Sequence, residues 1–483
     1  MERSRAPLYE KLCEHWLRGP SSFHVPGHKY GKGVLEPHGR SFLQEACLLD
    51  ATEVADLDDL HAPEGVIAEA EALAADCFGA EQSFFLVGGS TAGNMALILT
   101  MCGQGDVILV QRTAHKSVLH GLMLAGAKAV MLPPAFDRYG EAGGIAEDML
   151  ERALAAYPEA KAVMITSPSY YGRSGPVRRL AEIAHRHGKP LLVDEAHGAH
   201  FGFHPKLPAS ALSQGADAVV QSTHKMLSGM TMSAMLHVQG GRIPRDVLKQ
   251  RLTMLQSSSP SYVLLASLDL ARRQMHTQGY AVIEQAMEAA DCFRQGMESL
   301  PQFRLSSADD PMADPLKITV TIPGENLSGF ELSQLLQEEN CYPELADLRR
   351  VLLVFGPGST IEDSRKLYAA FQRIGMRIPH EQKNRVKPPA EEEQHELLFP
   401  ESPLLPIPFT MNTPESRWVP LEQAPGMYSA QLVVPYPPGI PLLFAGERVT
   451  AAAIDYIRKL NGFQAKIHGI PYEKTGWIKV FAE

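Results

Sequence analysis

Residues 217–238 read DAVVQSTHKMLSGMTMSAMLHV, a stretch that joins an apolar strand pattern to a polar cluster. The short apolar run Ala218–Val220 predicts a buried strand. Lys225 comes just after it, and open α/β sheets bind their ligands at such carboxyl ends of strands. Lys225 is therefore a candidate functional residue, although a lone lysine is far more often a solvated loop residue.

Composition and charge describe a folded protein and argue against several classes of function. The chain has 483 residues, of which 45% are hydrophobic and 21% charged, so two or three domains are expected. A formal net charge of -10 without a Lys/Arg block argues against nucleic-acid binding. No apolar run reaches the ~18 residues of a membrane span, and no apolar signal core follows Met1. The six cysteines form no CxxC pair, which predicts reduced thiols in a cytoplasmic protein.

Strand and helix patterns alternate from Val66 onward and predict an α/β fold with a mostly parallel sheet. Apolar strand patterns end in polar residues that should share one edge of this sheet; they lie at residues 84–87, 106–110, 128–132, 161–166 and 190–193. A β-α-β-α pattern between residues 316 and 371 predicts a second, smaller domain. The charged, proline-containing segment 376–395 predicts a linker.

Two other strand-end segments offer partners for Lys225. The residues before the helical pattern at Met95 read GGSTAGN from Gly88, and free backbone N–H groups, hydroxyls and the helix dipole could bind a phosphate there. A close-packed helix start explains that segment equally well. Asp194 ends a wholly apolar strand, either as a helix N-cap or as a buried carboxylate that keeps a heteroaromatic nitrogen protonated. A phosphate loop, a carboxylate and a lysine, each ending a strand, are typical of pyridoxal phosphate bound as a Schiff base.

The chain resembles the fold-type-I pyridoxal-phosphate Orn/Lys/Arg decarboxylase family, in its short form without the N-terminal wing domain. The motifs that carry the resemblance run over nearly the whole chain: FHVPGHK at 23–29, GGST at 88–91, RTAHKS at 112–117, DEAH at 194–197, STHK at 222–225, SPSY at 259–262 and YPPGIP at 436–441. The resemblance implies an aspartate aminotransferase-like large domain with a mostly parallel seven-stranded sheet, plus smaller α+β C-terminal domains.

The domain organisation that follows has four regions. We expect an N-terminal arm at residues 1–60 and a pyridoxal-phosphate-binding large domain at 61–300. A small α/β domain is expected at 301–375, and a linker with a C-terminal domain at 376–483.

The resemblance also implies a role for each residue around the cofactor ring. Lys225 is similar to the Schiff-base lysine, Asp194 to the partner of the pyridinium nitrogen, and His115 to the imidazole stacked on the ring. Ala196 would contact the other ring face. His197 departs from the large enzymes, which tend to carry Trp there, so its role stays open.

Further roles concern the phosphate, the substrate and a second subunit. The implied phosphate ligands are hydroxyl and imidazole groups: Ser90, Thr91, Ser222 and His224. Ser259 would reach in from a neighbouring subunit, so that a homodimer or a higher homo-oligomer would share active sites. Glu447 matches an acidic position near the distal amine of the substrate.

These expectations add up to decarboxylation of a basic amino acid through a Schiff base and a quinonoid, as in polyamine metabolism. Arginine to agmatine is favoured, followed by lysine to cadaverine and ornithine to putrescine. An aldolase or aminotransferase reaction on the same cofactor stays open, because such enzymes usually clamp the α-carboxylate with an arginine, and candidates are Arg349, Arg350 and Arg365.

A metal-dependent hydrolase is the alternative from another class. Asp194 is followed by histidines at His-x₂-His-x₃-His spacing, namely His197, His200 and His204. That reading leaves Lys225 and the hydroxyls of the GGST segment unexplained.

Overall fold

The computed structural model of the chain describes residues 2–34, 37–54, 57–135, 143–306, 310–322, 327–377, 404–412, 414–436, 440–463 and 465–482. Most of the predicted linker at 376–395, and residues 437–439 of the YPPGIP motif, lie outside these described residues.

The helices follow the predicted alternation with the strands. They are α1 (Pro7–Leu17), α2 (Pro37–Leu49), α3 (Val66–Phe78), α4 (Gly89–Met101), α5 (Lys116–Ala125), α6 (Glu147–Ala156), α7 (Val177–Arg186), α8 (Thr223–Met226), α9 (Arg245–Leu255), α10 (Tyr262–Met297), α11 (Gly329–Glu338), α12 (Ile361–Arg377) and α13 (Ala451–Gly462). Within the described ranges, no helix is both long and apolar enough to cross a membrane.

The strands fall into one large sheet and three smaller ones. They are β1 (Gln82–Leu86), β2 (Val107–Gln111), β3 (Lys128–Leu132), β4 (Val163–Thr166), β5 (Leu191–Asp194), β6 (Ala218–Gln221), β7 (Ala234–Val238), β8 (Arg304–Leu305), β9 (Lys317–Thr321), β10 (Leu345–Ala346), β11 (Arg350–Val354), β12 (Pro406–Pro408), β13 (Ser416–Pro420), β14 (Val434–Tyr436), β15 (Lys466–His468) and β16 (Trp477–Phe481).

The large sheet has the order β1-β7-β6-β5-β4-β2-β3-β12. Strands β3, β2, β4, β5 and β6 are parallel, whereas β7, β1 and β12 join antiparallel at the edges. The predicted α/β fold with a mostly parallel sheet is therefore confirmed. The sheet has one strand more than the predicted seven, because β12 pairs with β3; with only three residues, two of them proline, β12 carries no strand pattern.

Helices cover both faces of this sheet, and alternate side chains of each strand enter different cores. Along β2, Leu109 belongs to one hydrophobic cluster, whereas Ile108 and Val110 belong to the other. This two-sided burial explains why the central strands are apolar throughout rather than alternating. Polar side chains are accommodated where the strands end, which places them together at the carboxyl edge.

The C-terminal half of the described chain contains two further packed units. Strands β10, β11, β9 and β8 form an antiparallel sheet, and α10 contacts the same region because Phe293 packs on Phe371 of α12. A third hydrophobic cluster forms around α13, with Ile457 fully buried in it and Val480 of β16 beside it. The side chain of Lys317, the first residue of β9, points from the small sheet towards the large one, where it contacts His197.

Candidate active site

A cavity of about 360 Å³ lies at the carboxyl edge of the large sheet. Strands β4, β5 and β6 end at it, and so does the start of α4. Nine of the residues singled out from the sequence line this cavity: Ser90, Thr91, His115, Asp194, Ala196, His197, Ser222, His224 and Lys225.

Asp194 is held in place at the floor of the cavity. Its side chain is buried, Oδ2 accepts a hydrogen bond from Asn94 Nδ2 at 2.8 Å, and Oδ1 accepts one from the Ala196 backbone N–H at 3.1 Å. Asn94 also donates to Ser117 Oγ at 3.0 Å, so one amide links α4, α5 and β5. Asn94 closes the GGSTAGN segment, and that position was the only signal from which its role could have been predicted.

The start of α4 and the end of β6 bring two hydroxyl groups together. Gly89 adopts φ +68°, which turns the chain into the helix, and Ser90 Oγ lies 2.5 Å from Ser222 Oγ. His224 donates from Nδ1 to the Ser233 carbonyl at 2.9 Å, and burial is the main cause that lowers its pKa. Hydroxyls and free N–H groups at a helix start form a donor set that suits a phosphate.

His115 is a neutral ring at physiological pH. It caps α5, because its Nδ1 accepts a hydrogen bond from the Ser117 backbone N–H at 3.2 Å. Burial lowers the pKa of His115 to about 4, against the opposing field of Asp194. An acceptor at Nδ1 leaves the ring proton on Nε2.

Lys225 lines the cavity and contacts His197, since its Nζ is 2.9 Å from His197 Nε2. Burial lowers the pKa of Lys225, although Asp194 and Glu344 favour its charged form. The other ring nitrogen of His197, Nδ1, lies 2.9 Å from Lys317 Nζ. Burial and then the charges of the two lysines hold the pKa of His197 well below its usual value.

Two predicted site residues do not line the cavity. Both carboxylate oxygens of Glu447 accept hydrogen bonds from Arg112, at 3.1 and 3.0 Å, and Oε2 also accepts from the Phe444 backbone N–H. Ser259 lies in an exposed loop between α9 and α10. The roles predicted for these two residues stay predictions.

The histidines of the metal alternative each have a different partner. His197 contacts the two lysines, His200 Nε2 is 2.9 Å from Asp314 Oδ2, and His204 Nε2 is 2.8 Å from Glu284 Oε2. In the part of the chain that the structure describes, no group of three or more His, Cys, Asp or Glu side chains could hold a metal ion. The spacing of these histidines therefore does not produce a metal centre.

None of the arginines considered as carboxylate clamps, Arg349, Arg350 and Arg365, lines the cavity, although the Arg350 guanidinium lies 5.3 Å from the ring of Tyr171, which does. Arg350 pairs with Asp347 at 3.3 Å, and Asp347 accepts a hydrogen bond from the hydroxyl of Tyr171 at 2.6 Å. Among the described residues, the cavity lining therefore contains no arginine of the kind with which an aminotransferase usually clamps the α-carboxylate.

Two residues that the sequence reasoning did not single out act on the site. Lys317 contacts His197 directly. Glu344 is exposed, and its charge favours the protonated forms of Lys225 and His224. This effect opposes burial, which is larger and lowers the pKa of both residues. Neither residue belongs to a motif near a large-domain strand end, so no local signal pointed to them.

Comparison with known proteins gives a consistent result over the length of the chain. Residues 6–307 match the model of the Orn/Lys/Arg decarboxylase major domain, and residues 409–482 match the C-terminal domain of the same family. The arginine decarboxylase of Bacillus subtilis is 36% identical over 496 residues, which cover 100% of this chain and 99% of that protein.

Solved structures agree on the fold. Lysine decarboxylase A from Pseudomonas aeruginosa superposes with a TM-score of 0.82 at 22% identity, covering 98% of this chain and 80% of that chain. A structure of SPT with PLP gives a TM-score of 0.52 at 18% identity, covering 65% of this chain and 76% of that chain. Both of these structures share the fold of this chain, in agreement with the expected aspartate aminotransferase-like architecture.

Proposed function

The chain belongs to the Orn/Lys/Arg decarboxylase family, and from this premise we propose that it converts arginine to agmatine and carbon dioxide with pyridoxal phosphate as cofactor. As a member of this family it is an amino-acid decarboxylase. Arginine is favoured over lysine and ornithine because a relative named for arginine matches the chain over its full length, whereas the lysine decarboxylases among its relatives are more distant.

One observation carries the proposal: Lys225, Asp194 and the hydroxyls at the start of α4 line the same cavity. The lining fits a phosphate-bearing pyridine, since it offers hydroxyls for the phosphate and a carboxylate for the ring nitrogen. The cavity lining also contains a buried polar atom, Thr166 Oγ1, that has no hydrogen-bond partner among the described residues. A buried polar atom of this kind usually has a partner in the bound state.

Each side chain then has a definable task. Lys225 would hold the cofactor covalently, Asp194 would keep the ring nitrogen protonated, and the neutral ring of His115 would stack without adding positive charge. The phosphate would be bound by the hydroxyl and imidazole groups of Ser90, Thr91, Ser222 and His224. When bound, pyridoxal phosphate supplies the electron sink for the bond that carbon dioxide leaves.

Glu344 is the residue to which we assign recognition of the distal cation of the substrate. Its carboxylate is exposed and does not line the cavity, but its charge favours the charged forms of both Lys225 and Lys317. Glu447, by contrast, already binds Arg112 through both oxygens. Glu344→Gln should raise the KM for arginine about tenfold, since a charge-assisted hydrogen bond is lost.

The decisive experiment offers arginine, lysine and ornithine together to the purified full-length chain with pyridoxal phosphate. Chromatography of the products should show agmatine as the main amine. Borohydride reduction followed by peptide mass spectrometry should locate the cofactor on Lys225, and Lys225→Ala should abolish both signals. Absence of agmatine, cadaverine and putrescine from a protein that carries the cofactor would refute the assigned reaction.

We also propose a homodimer in the cytoplasm. Phe23 is 95% exposed and Val25 is 63% exposed in the FHVPGHK segment, and two such exposed apolar side chains in one short segment suit a subunit interface. All six cysteines are free, as expected for a reducing compartment. Light scattering of the purified chain should give the mass of a dimer or of a multiple of it.

A further inference from the structure

Lys317 and Lys225 approach the same imidazole from opposite sides. Lys225 Nζ lies 2.9 Å from His197 Nε2, and Lys317 Nζ lies 2.9 Å from His197 Nδ1. Lys317 also donates to the Tyr170 carbonyl at 2.9 Å, and the Tyr170 ring packs on His197 with a centroid distance of 4.3 Å. Both Lys317 and His197 are almost fully buried, so these contacts are not open to bulk water.

The hydrogen bonds of Lys225, His197 and Lys317, called the trio below, limit which of these groups can be charged at the same time. A neutral imidazole has one N–H donor and one lone pair, whereas an ammonium group can only donate. With a lysine nitrogen at hydrogen-bond distance from each ring nitrogen, one lysine must accept the ring N–H and is therefore an uncharged amine. The other lysine donates to the lone pair, so with a neutral ring the three groups hold at most one positive charge, on one of the two lysines.

We propose that His197 relays a proton between Lys225 and Lys317, so that Lys317 takes up the proton that Lys225 must lose to become a nucleophile. The inference rests on the proposed function only in so far as Lys225 is the residue that reacts. It makes Lys317 a positioning residue, because Lys317 acts on the reaction through His197 and not by touching the substrate.

The step balances within the three side chains. A proton leaves Lys225 Nζ for His197 Nε2, and the proton on Nδ1 passes to Lys317 Nζ. The electron pair freed on Lys225 Nζ becomes available for attack on a carbonyl carbon. His197 ends as the other neutral tautomer, and the total charge of the trio is unchanged, so no further reactant is needed.

The surroundings allow either lysine to carry the charge. The ionisable groups that face the trio from the packed elements are Asp194, Asp314, Glu344, His115, His200 and His224. Asp194 and Glu344 favour a charged Lys225, whereas Asp314 and Glu344 favour a charged Lys317. Burial lowers the pKa of Lys317 to about 7, so the residue can gain or lose a proton near neutral pH.

The backbone holds Lys317 rigidly in its position. Gly172 adopts φ +90° against it, and a Cβ atom at Gly172 would lie 2.9 Å from Lys317 Cδ. Asp314, three residues earlier, accepts from the Leu316 backbone N–H at 3.0 Å and pairs with His200. A side chain fixed from both directions can return to the same hydrogen bonds in every cycle.

The test measures the pKa of the Lys225 amine in the full-length chain after the cofactor is removed. Trace acylation with acetic anhydride over a pH series, read by mass spectrometry of the Lys225 peptide, gives the midpoint. Lys317→Met removes the proton acceptor and should raise this midpoint by about one pH unit. Lys317→Arg fixes a positive charge that donates to Nδ1, so the ring N–H points at Lys225 and the midpoint should fall by a similar amount.

Controls separate the relay from a purely structural role. Lys116→Met removes another lysine of the cavity lining and should change the midpoint much less. His197→Phe keeps a ring but no nitrogens, so it should raise the midpoint by itself and remove most of the difference between the two Lys317 variants. If the Lys317 variants fail to fold, as judged by thermal melting, the His197→Phe result alone decides.

Shifts in the same direction for Lys317→Met and Lys317→Arg, or an unchanged midpoint in His197→Phe, would overturn the relay. These outcomes are independent of the proposed function, which fails separately if borohydride reduction links the cofactor to a residue other than Lys225. A relay with a shifted midpoint in a protein that makes no amine would stand without the decarboxylase assignment.

Discussion

Two buried clusters of this chain use charged side chains in opposite ways. Asp269 and Arg272 on α10 form an ion pair at 2.5 Å with both side chains fully buried, and the pair binds the N-terminal segment. Asp269 accepts from the Leu8 backbone N–H at 3.0 Å, and Arg272 donates to the Arg3 carbonyl at 3.2 Å. At the cavity, two lysines instead face one neutral imidazole.

The difference teaches what each arrangement is suited for. Opposite charges in contact stabilise each other, so neither group of the pair on α10 is poised to give up or take up a proton. The pair instead fixes the position of α1. In the proposed relay, two lysines share one proton through a neutral ring, so the charge can pass from one lysine to the other. Burial alone therefore does not distinguish a structural cluster from a reactive one; the sign of the neighbouring charge does.

Arg272→Met is expected to give the largest effect on stability. It leaves the Asp269 carboxylate buried without its cation, which should lower the free energy of unfolding by about 3–5 kcal/mol. Urea unfolding measures the loss, and kcat/KM of the folded fraction should not change. The matched control is Arg273→Met on the same helix, whose partly exposed contact with Glu10 at 3.8 Å should be worth less than about 1 kcal/mol. A loss of kcat/KM at unchanged stability in Arg272→Met would erase the contrast between the clusters.

Asp194→Asn, at the cavity, should lower the rate with little effect on stability, which is the reverse of the result expected for Arg272→Met. The substitution keeps the shape but removes the charge opposite the ring nitrogen, so kcat should fall about 10²–10³-fold with little loss of stability. Steady-state kinetics and thermal melting together test this expectation.

Glu195→Gln is the control for that variant, because the next residue is equally buried but lies outside the cavity lining. Burial raises the pKa of Glu195 to about 8, so its side chain is already uncharged at neutral pH. Its replacement should leave kcat within about twofold of the original. Similar losses of kcat in both variants would show that burial, and not charge at Asp194, governs the rate.

The last prediction concerns the dependence of the free energy of unfolding on pH. Glu195 has a folded-state pKa of about 8 against an ordinary value of 4.5, so the folded chain binds the extra proton between these values. The free energy of unfolding should therefore fall as the pH rises through this window. Glu195→Gln should flatten part of the slope, and Glu71, whose pKa is also raised to about 8, keeps the rest. Urea unfolding between about pH 5 and about pH 8 measures the slope; an unchanged slope contradicts the expectation.

Much of the fold and the core of the cavity could be predicted from the sequence, because their determinants are local. The apolar runs of β5 and β6 fix buried strands, Asp194 is the last residue of β5, and Lys225 comes four residues after the end of β6, so topology alone brings the two side chains to the same cavity. The start of α4 is similarly encoded in consecutive residues, with Gly89 at the turn and Ser90 at the cavity.

The remaining contacts could not be predicted, because they join residues that are distant in the chain. Lys317 lies 120 positions from His197, on a strand of another sheet, and reads in sequence as one charged residue before β-branched ones. Arg112 meets Glu447 across 335 positions, and nothing near either residue indicates that the carboxylate is already bound. Such pairs depend on how domains pack, which a periodic pattern does not record.

Strand β12 shows how the C-terminal part of the chain protects the large sheet from neighbours in solution. The Phe409 backbone N–H donates inward to the Ala127 carbonyl, so the alternation along a strand turns Pro406 and Pro408 outward. Proline has no N–H, and the outer side of β12 therefore offers no donor at these two positions to an approaching strand. Deletion of residues 404–483 would remove β12 and leave β3 as an open edge of the sheet. Such a shortened chain should aggregate by the addition of strands to that edge.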